Sequence, residues 1–254
     1  MAGVTSKAPL DDGIIEGRNA VLEALRAGVQ IDKVLIAKGE TDSALKAIAS
    51  KAREAGAAVS EVDRRKLDSM STTHAHQGVI AESAAVTYAS LEGILEVAAQ
   101  RGQPPLLMLC DGIMDPRNLG AVIRSCEAMG AHGVVIPKHQ SAGTTAAVAK
   151  ASSGALFHTA VARVTNLNAT IAALKKSGVW IFAASADGDI APWEADLRGP
   201  AAIVVGSEGK GVKKLVYDNC DFHVAVPMLG KLSSLNVSAT AAILIYEAMR
   251  QRTR

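Results

Sequence analysis

A single arginine, Arg124, lies in the largely apolar stretch NLGAVIRSCEAM, which follows the strand-like run PLLMLCDG. The preceding pair Asp115-Pro116 predicts the start of a helix, because an aspartate caps free backbone N–H groups and proline is tolerated at the first helical position. Arg124 then falls about two turns into that helix, where its neighbours offer few polar partners. The guanidinium either extends to water or binds an anion. The spacing alone favours the first interpretation.

Two more apolar runs end in polar or glycine-containing segments. One is VVGSEGKGV, which places Gly206, Glu208 and Gly209 directly after a strand-like run. The other is VPMLGKLSSLNVSATAAILIYEAM, in which Ser233 or Ser234 is predicted to cap a strongly apolar helix. In an open parallel sheet, ligands bind outside the carboxyl ends of the strands. The three strand ends are therefore the places where a ligand site is expected.

Common nucleotide-binding and hydrolase fingerprints do not fit these segments. A phosphate-binding P-loop needs serine or threonine after its lysine, whereas Lys210 is followed by Gly211. A Rossmann glycine pattern in the same loop would need glycine where Lys214 stands. The chain has no GxSxG elbow, and His74 and His76 have the wrong spacing for a metal-binding helix face. No zinc or other metal site is expected.

The composition is that of a globular protein long enough for one large domain or two ordinary ones: 254 residues, 49% hydrophobic and 20% charged. No run reaches the roughly 20 consecutive apolar residues that span a bilayer, so no membrane association is expected. Three widely spaced cysteines without a CxxC pair indicate reduced, buried thiols in a cytoplasmic protein: Cys110, Cys126 and Cys220.

The formal charge of +2 is too small by itself to indicate nucleic-acid binding, which depends on clustered charge. Three basic clusters occur: Arg64 with Arg65 and Lys66, Lys210 with Lys213 and Lys214, and Arg250 with Arg252 and Arg254. For each cluster, a solvated helix face is the more frequent structural explanation. The aromatic content of 3% argues against a platform of rings on which bases stack.

The order of apolar and helical patterns predicts two α/β units. Residues 1–12 are interpreted as a flexible tail, and residues 13–86 as a small unit with the short strands KVLIA, AAVSEV and GVIAESAAV. Residues 87–103, which lead into a proline pair, are the predicted linker. In residues 104–254, near-continuous apolar strands alternate with helical patterns, which indicates a mostly parallel sheet covered by helices: LLMLCD, GVVIP, TAVARV, VWIFAAS, AAIVVG and FHVAVP.

The three strand ends closely resemble, in order and position, the three motifs of the SpoU (TrmH) RNA ribose 2′-O-methyltransferases of the SPOUT superfamily: NLGAVIR, VVGSEGKGV and VPMLGKLSSLNVSATAAILIYEA. Near the start, EGRNAVLEAL and HAHQGVIA are similar to the N-terminal RNA-binding domain of bacterial members that methylate a guanosine of 23S ribosomal RNA. The resemblance covers nearly the whole chain.

This resemblance implies a fold that periodicity could not have indicated. Residues 104–254 would form an α/β parallel-sheet domain with a deep trefoil knot, preceded by a small N-terminal α/β domain that binds the RNA substrate. True knots are almost absent from other proteins. The resemblance also implies a homodimer, S-adenosylmethionine as the cofactor bound by the loops of the knot, and no metal.

The resemblance also assigns site residues by position. The implied catalytic residues are Asn118, Arg124, Glu208, Ser234 and Asn236. The implied cofactor-binding residues are Gly206, Gly209, Val226, Met228, Leu229, Ser234 and Leu235. In the RNA-binding domain, the candidates for phosphate contacts are Arg64, Arg65 and Lys66. Without the resemblance, the two glycines would indicate an ordinary tight turn, Ser234 a helix cap and Leu235 a core residue.

Under this resemblance, Arg124 would lie where the RNA arrives, and two roles stay open for it. The arginine of the family is described as a base assisted by an RNA phosphate. A guanidinium is nearly always protonated, which favours phosphate binding and stabilisation of the developing alkoxide. Asn118 and Glu208 would orient the arginine or the ribose. Alternatively, Glu208 would serve only as an acceptor for backbone N–H groups.

Other targets and one other class of function stay open. The enzyme could modify a transfer RNA, or a different ribosomal RNA site as a resistance methyltransferase. A protein of the same fold without turnover would be a non-catalytic RNA-binding or ribosome-assembly factor. The complete set of five motif residues argues against that class, because binding alone does not require all of them. The N-terminal domain with its HQGV sequence favours 23S ribosomal RNA.

Overall fold

The computed structural model describes residues 12–40, 42–83 and 88–253. The predicted flexible tail over residues 1–12 lies, except for its last residue, outside the described part of the chain. The described residues form two sheets, one in each of the two predicted α/β units.

The N-terminal unit has a four-stranded sheet in the order β1-β4-β2-β3. Strands β2 and β3 are parallel, and β4 runs antiparallel to β1 and β2. The three strands expected from the sequence are confirmed, and the three-residue β1 adds a fourth. The elements are β1 (Ile14–Glu16), α1 (Arg18–Arg26), β2 (Ile31–Ala37), α2 (Ser43–Glu54), β3 (Ala58–Val62), α3 (Arg64–Met70) and β4 (Val79–Ser83).

The segment predicted as a linker, residues 87–103, is largely helical. Helix α4 (Leu91–Gln100) is capped by the Ser90 hydroxyl, which accepts the N–H of Gly93 at 3.0 Å. Ile94 is fully buried and lies against Gly133, where an added Cβ would come within 2.7 Å of the Ile94 side chain. The segment therefore packs on the second sheet instead of crossing open space between two units.

The second sheet contains six parallel strands in the order β10-β8-β9-β5-β6-β7, as the near-continuous apolar runs predicted. Its strands are β5 (Leu106–Asp111), β6 (Gly133–Pro137), β7 (Val161–Val164), β8 (Trp180–Ala184), β9 (Ala201–Gly206) and β10 (Phe222–Val224). Its helices are α5 (Pro116–Ala128), α6 (Ala146–Ala151), α7 (Leu167–Lys176), α8 (Lys214–Asp218) and α9 (Val237–Arg252), with a 3₁₀ turn over Ala155–His158.

The strand order reverses between β5 and β9. From β5 the chain proceeds through β6 to β7 at one edge, then crosses to β8 and returns to fill the position between β8 and β5 with β9. The carboxyl ends of β5 and β9 thus flank a topological switch point, where open α/β sheets bind ligands. The strand order does not by itself test the predicted trefoil knot, which stays a prediction.

The core joins both units and encloses the cysteines. Apolar residues of β1 and α1 belong to the same core cluster as those of β5, α5 and α6. Cys110, Cys126 and Cys220 are buried free thiols, as predicted. Burial raises the pKa of Cys110 and of Cys220 to about 12, so these thiols stay protonated. Among the described helices, none combines the length and the apolar character needed to cross a membrane.

A buried carboxylate at the end of β1 organises the loop over residues 71–78. The Glu16 side chain is fully buried and accepts hydrogen bonds from the hydroxyls of Ser71 and Thr72. It also accepts the backbone N–H groups of Thr72 and Thr73, at 3.1 and 3.0 Å. Burial acts to raise the pKa of this carboxyl, but the hydrogen bonds outweigh it and hold the pKa below its ordinary value of 4.5.

Replacement of Glu16 by glutamine should therefore destabilise the fold by about 2 kcal/mol, because an amide accepts fewer of these hydrogen bonds. A carboxyl with a lowered folded-state pKa contributes stability above its unfolded pKa and loses it as the pH falls through the folded pKa. Thermal unfolding followed from about pH 7 to about pH 3 should show a difference between wild type and Glu16→Gln that narrows toward acid.

The control is Glu61→Gln, since Glu61 lies exposed on β3. This variant should unfold like the wild type at every pH. A Glu16→Gln protein as stable as the wild type at neutral pH would contradict the structural role assigned to the buried carboxylate.

Candidate active site

Helix α5 begins shortly after β5 and brings the first motif to the switch point. The Asp115 side chain accepts the N–H of Arg117 at 2.8 Å, and Pro116 occupies the first helical position. The predicted helix start is thus confirmed. Asn118 lies in the first turn, so its side chain is held next to the carboxyl end of the sheet.

The loop after β9 is too tight for any residue other than glycine at its base. A Cβ on Gly206 would lie 1.9 Å from the carbonyl carbon of Gly211. Ser207 and Gly211 exchange two backbone hydrogen bonds, of 3.0 and 2.9 Å, and Gly209 has a φ of 78°. The loop closed in this way presents the exposed Glu208 side chain.

Asp111 ties the end of β5 to this loop. Its carboxylate is 2% exposed, accepts the backbone N–H of Lys213 at 2.8 Å and forms an ion pair with the Lys213 ammonium at 3.1 Å. The sequence pattern did not assign this pair to the site. An acidic residue at the end of an otherwise apolar strand was the available signal, because a buried charge requires a partner.

Side chains from all three motifs meet in one hydrogen-bonded cluster. The Glu208 carboxylate accepts the amide Nδ2 of Asn118 at 2.6 Å and that of Asn236 at 2.7 Å, both through Oε1. The Nδ2 of Asn236 also lies 3.1 Å from the Oδ1 of Asn118. Within the described residues, Glu208 thus binds two side-chain amides and none of the backbone N–H groups that the alternative interpretation required. The structure brings together three of the five residues predicted to be catalytic.

Asn236 is also the cap of α9. Its Oδ1 accepts the N–H of Ser238 at 2.9 Å and the Ser238 hydroxyl at 2.6 Å. The prediction that Ser233 or Ser234 caps this helix was wrong, because the helix begins at Val237 and asparagine caps as well as serine does. Ser234 is exposed in the segment before the cap.

Arg124 does not join the cluster within one chain. It lies six residues after Asn118, which places it about 9 Å further along α5 and about 120° around it. The side chain is exposed, and its Nη1 donates to the Ser153 hydroxyl at 3.1 Å. The guanidinium therefore reaches the surface, as the spacing favoured, and carries a hydrogen bond that the sequence did not predict.

The segment 226–235 offers exposed apolar side chains and unpaired backbone groups beside the cluster. Leu229 is 101% exposed, and Leu235 is 40% exposed. Val226 packs against the core. Met228, which comes between Val226 and Leu229 in the sequence, is half-buried. In the described part of the chain, no hydrogen bond pairs the backbone groups of these ten residues. Such a surface suits a ligand that is partly apolar and partly hydrogen-bonding.

The charge of Glu208 acts on a nearby cation at the start of α5. The Arg117 side chain is 88% exposed. Its pKa is raised, first by hydrogen bonding to Asp115 and by the Asp115 charge, and to a smaller extent by the charge of Glu208. Among the described residues, no three His, Cys, Asp or Glu side chains are grouped so that they could hold a metal ion.

The predicted RNA-binding cluster lies far from these residues in the sequence, at the start of α3. Arg64, Arg65 and Lys66 are all exposed. Arg64 is 3.0 Å from a carboxylate oxygen of Glu40, so part of its charge is compensated within the domain. The structure therefore leaves these side chains accessible to a large anionic partner.

Comparison with known proteins matches two family models to two parts of the chain. Residues 105–246 match the SpoU rRNA Methylase family, and residues 14–89 match the RNA 2′-O ribose methyltransferase substrate binding family. A Bacillus subtilis protein, YacO, which is provisionally named a TrmH family tRNA/rRNA methyltransferase, is 41% identical over 238 residues. These cover 93% of this chain and 94% of YacO.

Two solved structures share the fold. A crystal structure of an RNA 2′-O ribose methyltransferase has a TM-score of 0.78 and 29% identity, over 95% of this chain and 89% of its own. The SpoU methyltransferase AviRb from Streptomyces viridochromogenes, crystallised with AdoMet, has a TM-score of 0.81 and 23% identity, over 94% and 90% of the two chains. At that identity, the likeness to AviRb shows the fold alone.

The match to the methylase family covers more than half of the chain, and the residues that form the hydrogen-bonded cluster lie inside it. The N-terminal match covers the four-stranded sheet. The chain therefore belongs to the SpoU rRNA Methylase family and is an RNA methyltransferase with a substrate-binding domain in front of its methyltransferase domain.

Proposed function

We propose that this protein transfers a methyl group from S-adenosylmethionine to a ribose 2′-hydroxyl, which releases S-adenosylhomocysteine and the hydroxyl proton, and that the nucleotide is a guanosine of 23S ribosomal RNA. The observation that carries the reaction is the Asn118–Glu208–Asn236 cluster at the switch point of the parallel sheet. The choice of 23S ribosomal RNA rests on the resemblance of the N-terminal domain. RNA and the cofactor both occur in the cytoplasm, where we propose that the protein works.

The residues present fit S-adenosylmethionine. Unpaired backbone groups and exposed leucines in the segment 226–235 offer the hydrogen bonds and apolar contacts that an adenosine with an aliphatic chain requires. When bound, this cofactor supplies a methyl group activated by a sulfonium. The residues that would hold it are Gly206, Gly209, Val226, Met228, Leu229, Ser234 and Leu235.

Glu208 is suited to orient the ribose. Its Oε1 receives both amides, and within the described chain no hydrogen bond uses its Oε2. An ionised carboxylate only accepts hydrogen bonds, so Oε2 can receive the ribose hydroxyl. Because Asn118 and Asn236 hold the carboxylate in place, the hydroxyl is aligned without loss of freedom at the moment of reaction. Ser234, two residues before Asn236, lies close enough in sequence to contact the same nucleotide.

Arg124 is suited to bind the RNA backbone and to stabilise negative charge on the attacking oxygen. Its guanidinium has five N–H donors, and the structure uses one nitrogen, Nη1, for Ser153. The remaining donors match the two oxygens of a phosphate. A fixed positive charge near the attacking oxygen lowers the energy of the transition state more than that of the ground state.

A homodimer is part of the proposal. Exposed apolar side chains occur before α5, within the segment 226–235 and on α9: Met114, Leu229, Leu232, Ile243 and Tyr246. Exposed apolar surface of this kind is typical of contacts between protein chains. A second copy of this chain is the partner that the family resemblance implies.

The proposal is tested by incubation of the purified protein with methyl-labelled S-adenosylmethionine and separate pools of ribosomal and transfer RNA. Label on a ribose 2′-oxygen of a 23S guanosine is the expected result, and ribose mapping locates it. Label confined to transfer RNA would mean that transfer RNA is the target instead, an alternative that the tRNA/rRNA naming of YacO leaves open. Absence of label from every pool would contradict the function.

The Arg124→Ala variant should lower single-turnover methylation by roughly two orders of magnitude or more, comparable to the loss of a donor that stabilises a transition state. Cofactor binding should be unchanged, because the hydrogen bond that the guanidinium makes in the described chain goes to Ser153, outside the segment 226–235. Arg124→Lys keeps the charge without the planar fork. Partial recovery in this variant would favour charge stabilisation, and no recovery would favour bidentate phosphate binding.

Lys176→Ala serves as a charge-matched control, since Lys176 is an exposed cation on α7. Its turnover should equal that of the wild type. Near-normal turnover by folded Arg124→Ala protein would return this arginine to the role of a solvent-exposed side chain on a packed helix.

The basic cluster on α3 should contribute to RNA affinity through phosphate contacts. Combined replacement of Arg64, Arg65 and Lys66 by alanine should weaken RNA binding and reduce the slope of affinity against salt by about one for each phosphate that is no longer neutralised. Cofactor affinity should stay constant. Lys51→Ala on α2 is the control, as Lys51 is exposed in the same domain. An unchanged salt dependence in the triple variant would exclude this cluster from the RNA interface.

A further inference from the structure

Arg124 reaches Ser153 because α5 and α6 approach each other closely at a glycine. An added Cβ on Gly120 would lie 2.5 Å from the Ala151 Cβ and 2.9 Å from the backbone nitrogen of Ser152. Arg124 follows Gly120 by four residues and so lies on the same side of α5. Its Nη1 donates to the Ser153 hydroxyl at 3.1 Å. The contact between the helices thus sets the partner of the guanidinium.

Ser153 has a backbone conformation that serine seldom adopts. Its φ is 53°, in the left-handed region that favours glycine and, after it, asparagine. The next residue, Gly154, also has a positive φ of 88°. A residue chosen for this backbone alone would be glycine or asparagine. Serine adds a hydroxyl that accepts a hydrogen bond from Arg124.

The N-terminal domain holds this part of the chain from the other side. We name residues 150–158 the connecting segment. An added Cβ on Gly154 would lie 2.4 Å from the Glu23 Cβ, and the Nε2 of His158 lies 2.9 Å from a Glu23 carboxylate oxygen. Helix α1, which carries Glu23, therefore fixes the second half of the connecting segment.

Lys150 fixes the first half. Its ammonium donates to the carbonyl of Ala75 at 2.7 Å and to the Thr73 hydroxyl at 3.2 Å. Both acceptors belong to the loop 71–78, which the buried Glu16 carboxylate organises. Direct contacts therefore run from the substrate-binding domain through the connecting segment to Arg124.

We propose that Ser153 is a positioning residue for Arg124 and that the contacts of Lys150 with the loop 71–78 keep Ser153 in place. This inference rests on the proposed function, in which Arg124 acts on the RNA. An exposed arginine without a fixed partner samples many rotamers, and a misplaced group costs turnover. The hydroxyl of Ser153 limits that freedom through the one hydrogen bond that the guanidinium makes within the described residues.

Two substitutions separate the hydroxyl from the backbone. Ser153→Gly suits the positive φ and removes the acceptor, whereas Ser153→Asn suits it and supplies an amide oxygen. In single-turnover methylation at saturating RNA and cofactor, Ser153→Gly should lose about ten-fold in rate, and Ser153→Asn should stay within about three-fold of the wild type. Both variants should unfold at nearly the wild-type temperature. A Ser153→Gly protein with full activity would overturn the proposal.

A double-variant comparison shows whether Ser153 acts through Arg124. In the Arg124→Ala background, Ser153→Gly should cause no further loss, because the group that it positions is absent. Lys150→Met should give a smaller loss that also disappears in that background. Losses that add fully to that of Arg124→Ala would mean that these residues act elsewhere, and would overturn the proposal.

A second readout does not depend on methylation. Nitrogen-15 relaxation of the arginine side chains in the intact protein should show greater mobility of the Arg124 guanidinium in Ser153→Gly than in the wild type or in Ser153→Asn. Equal mobility in all three would overturn the positioning role. Failure of the wild type to methylate any RNA would overturn the proposed function instead, and the relaxation result would still decide the role of Ser153.

Discussion

The parallel pairing of β5 with β9 is the constraint on which the rest of the site depends. Its register sets Asp111 opposite Gly206 at the carboxyl ends, and both strands are buried along their whole length. Strands buried on both faces leave almost no room for polar side chains, so the polar residues come where the strands end. Asp111 connects the two strand ends by accepting the backbone N–H of Lys213 and by pairing with the Lys213 ammonium. Because β5 and β9 end side by side, the segments that follow them bring Asn118 and Glu208 together.

The third motif is attached to Asn118 and Glu208 through the side-chain amide of Asn236, whose oxygen and nitrogen each make a hydrogen bond. The Oδ1 of Asn236 caps α9, a contact that contributes about 1 kcal/mol, while its Nδ2 donates to the Glu208 carboxylate. The segment 226–235 is thus anchored at one end by β10 and at the other by Asn236. Between the anchors its backbone groups have no partner in the described chain. A segment held only at its ends keeps those groups available to a ligand without being free to collapse onto the core.

Elements defined by their own residues could be predicted from the sequence, and contacts between distant elements could not. The bounds of β5, β6 and β9 and the start of α5 follow from buried strands and a local cap. The three-residue β1 is too short to show a period. The proline pair that follows α4 predicts a linker there, whereas the burial of Ile94 depends on a distant strand. The contact of Arg124 with Ser153 depends on the close approach of α5 and α6 at Gly120, which the spacing of residues in the sequence does not predict. The grouping of the three motifs was expected from the switch-point rule and the family resemblance together.

The charges around the site determine how an RNA can approach it. Glu208 is exposed and would repel a polyanion, but Arg117 lies near enough for its pKa to be raised by that carboxylate. Arg117 and Arg124 are seven residues apart and so lie on one side of α5, about 10 Å from each other along the helix. Asn118 points about 100° away from Arg117 around the same helix. One helix therefore carries both the two arginines that would bind the RNA backbone and the amide of Asn118 that holds the Glu208 carboxylate. In the proposed reaction, the orientation of α5 decides whether the phosphate reaches the arginines while the ribose hydroxyl reaches Glu208.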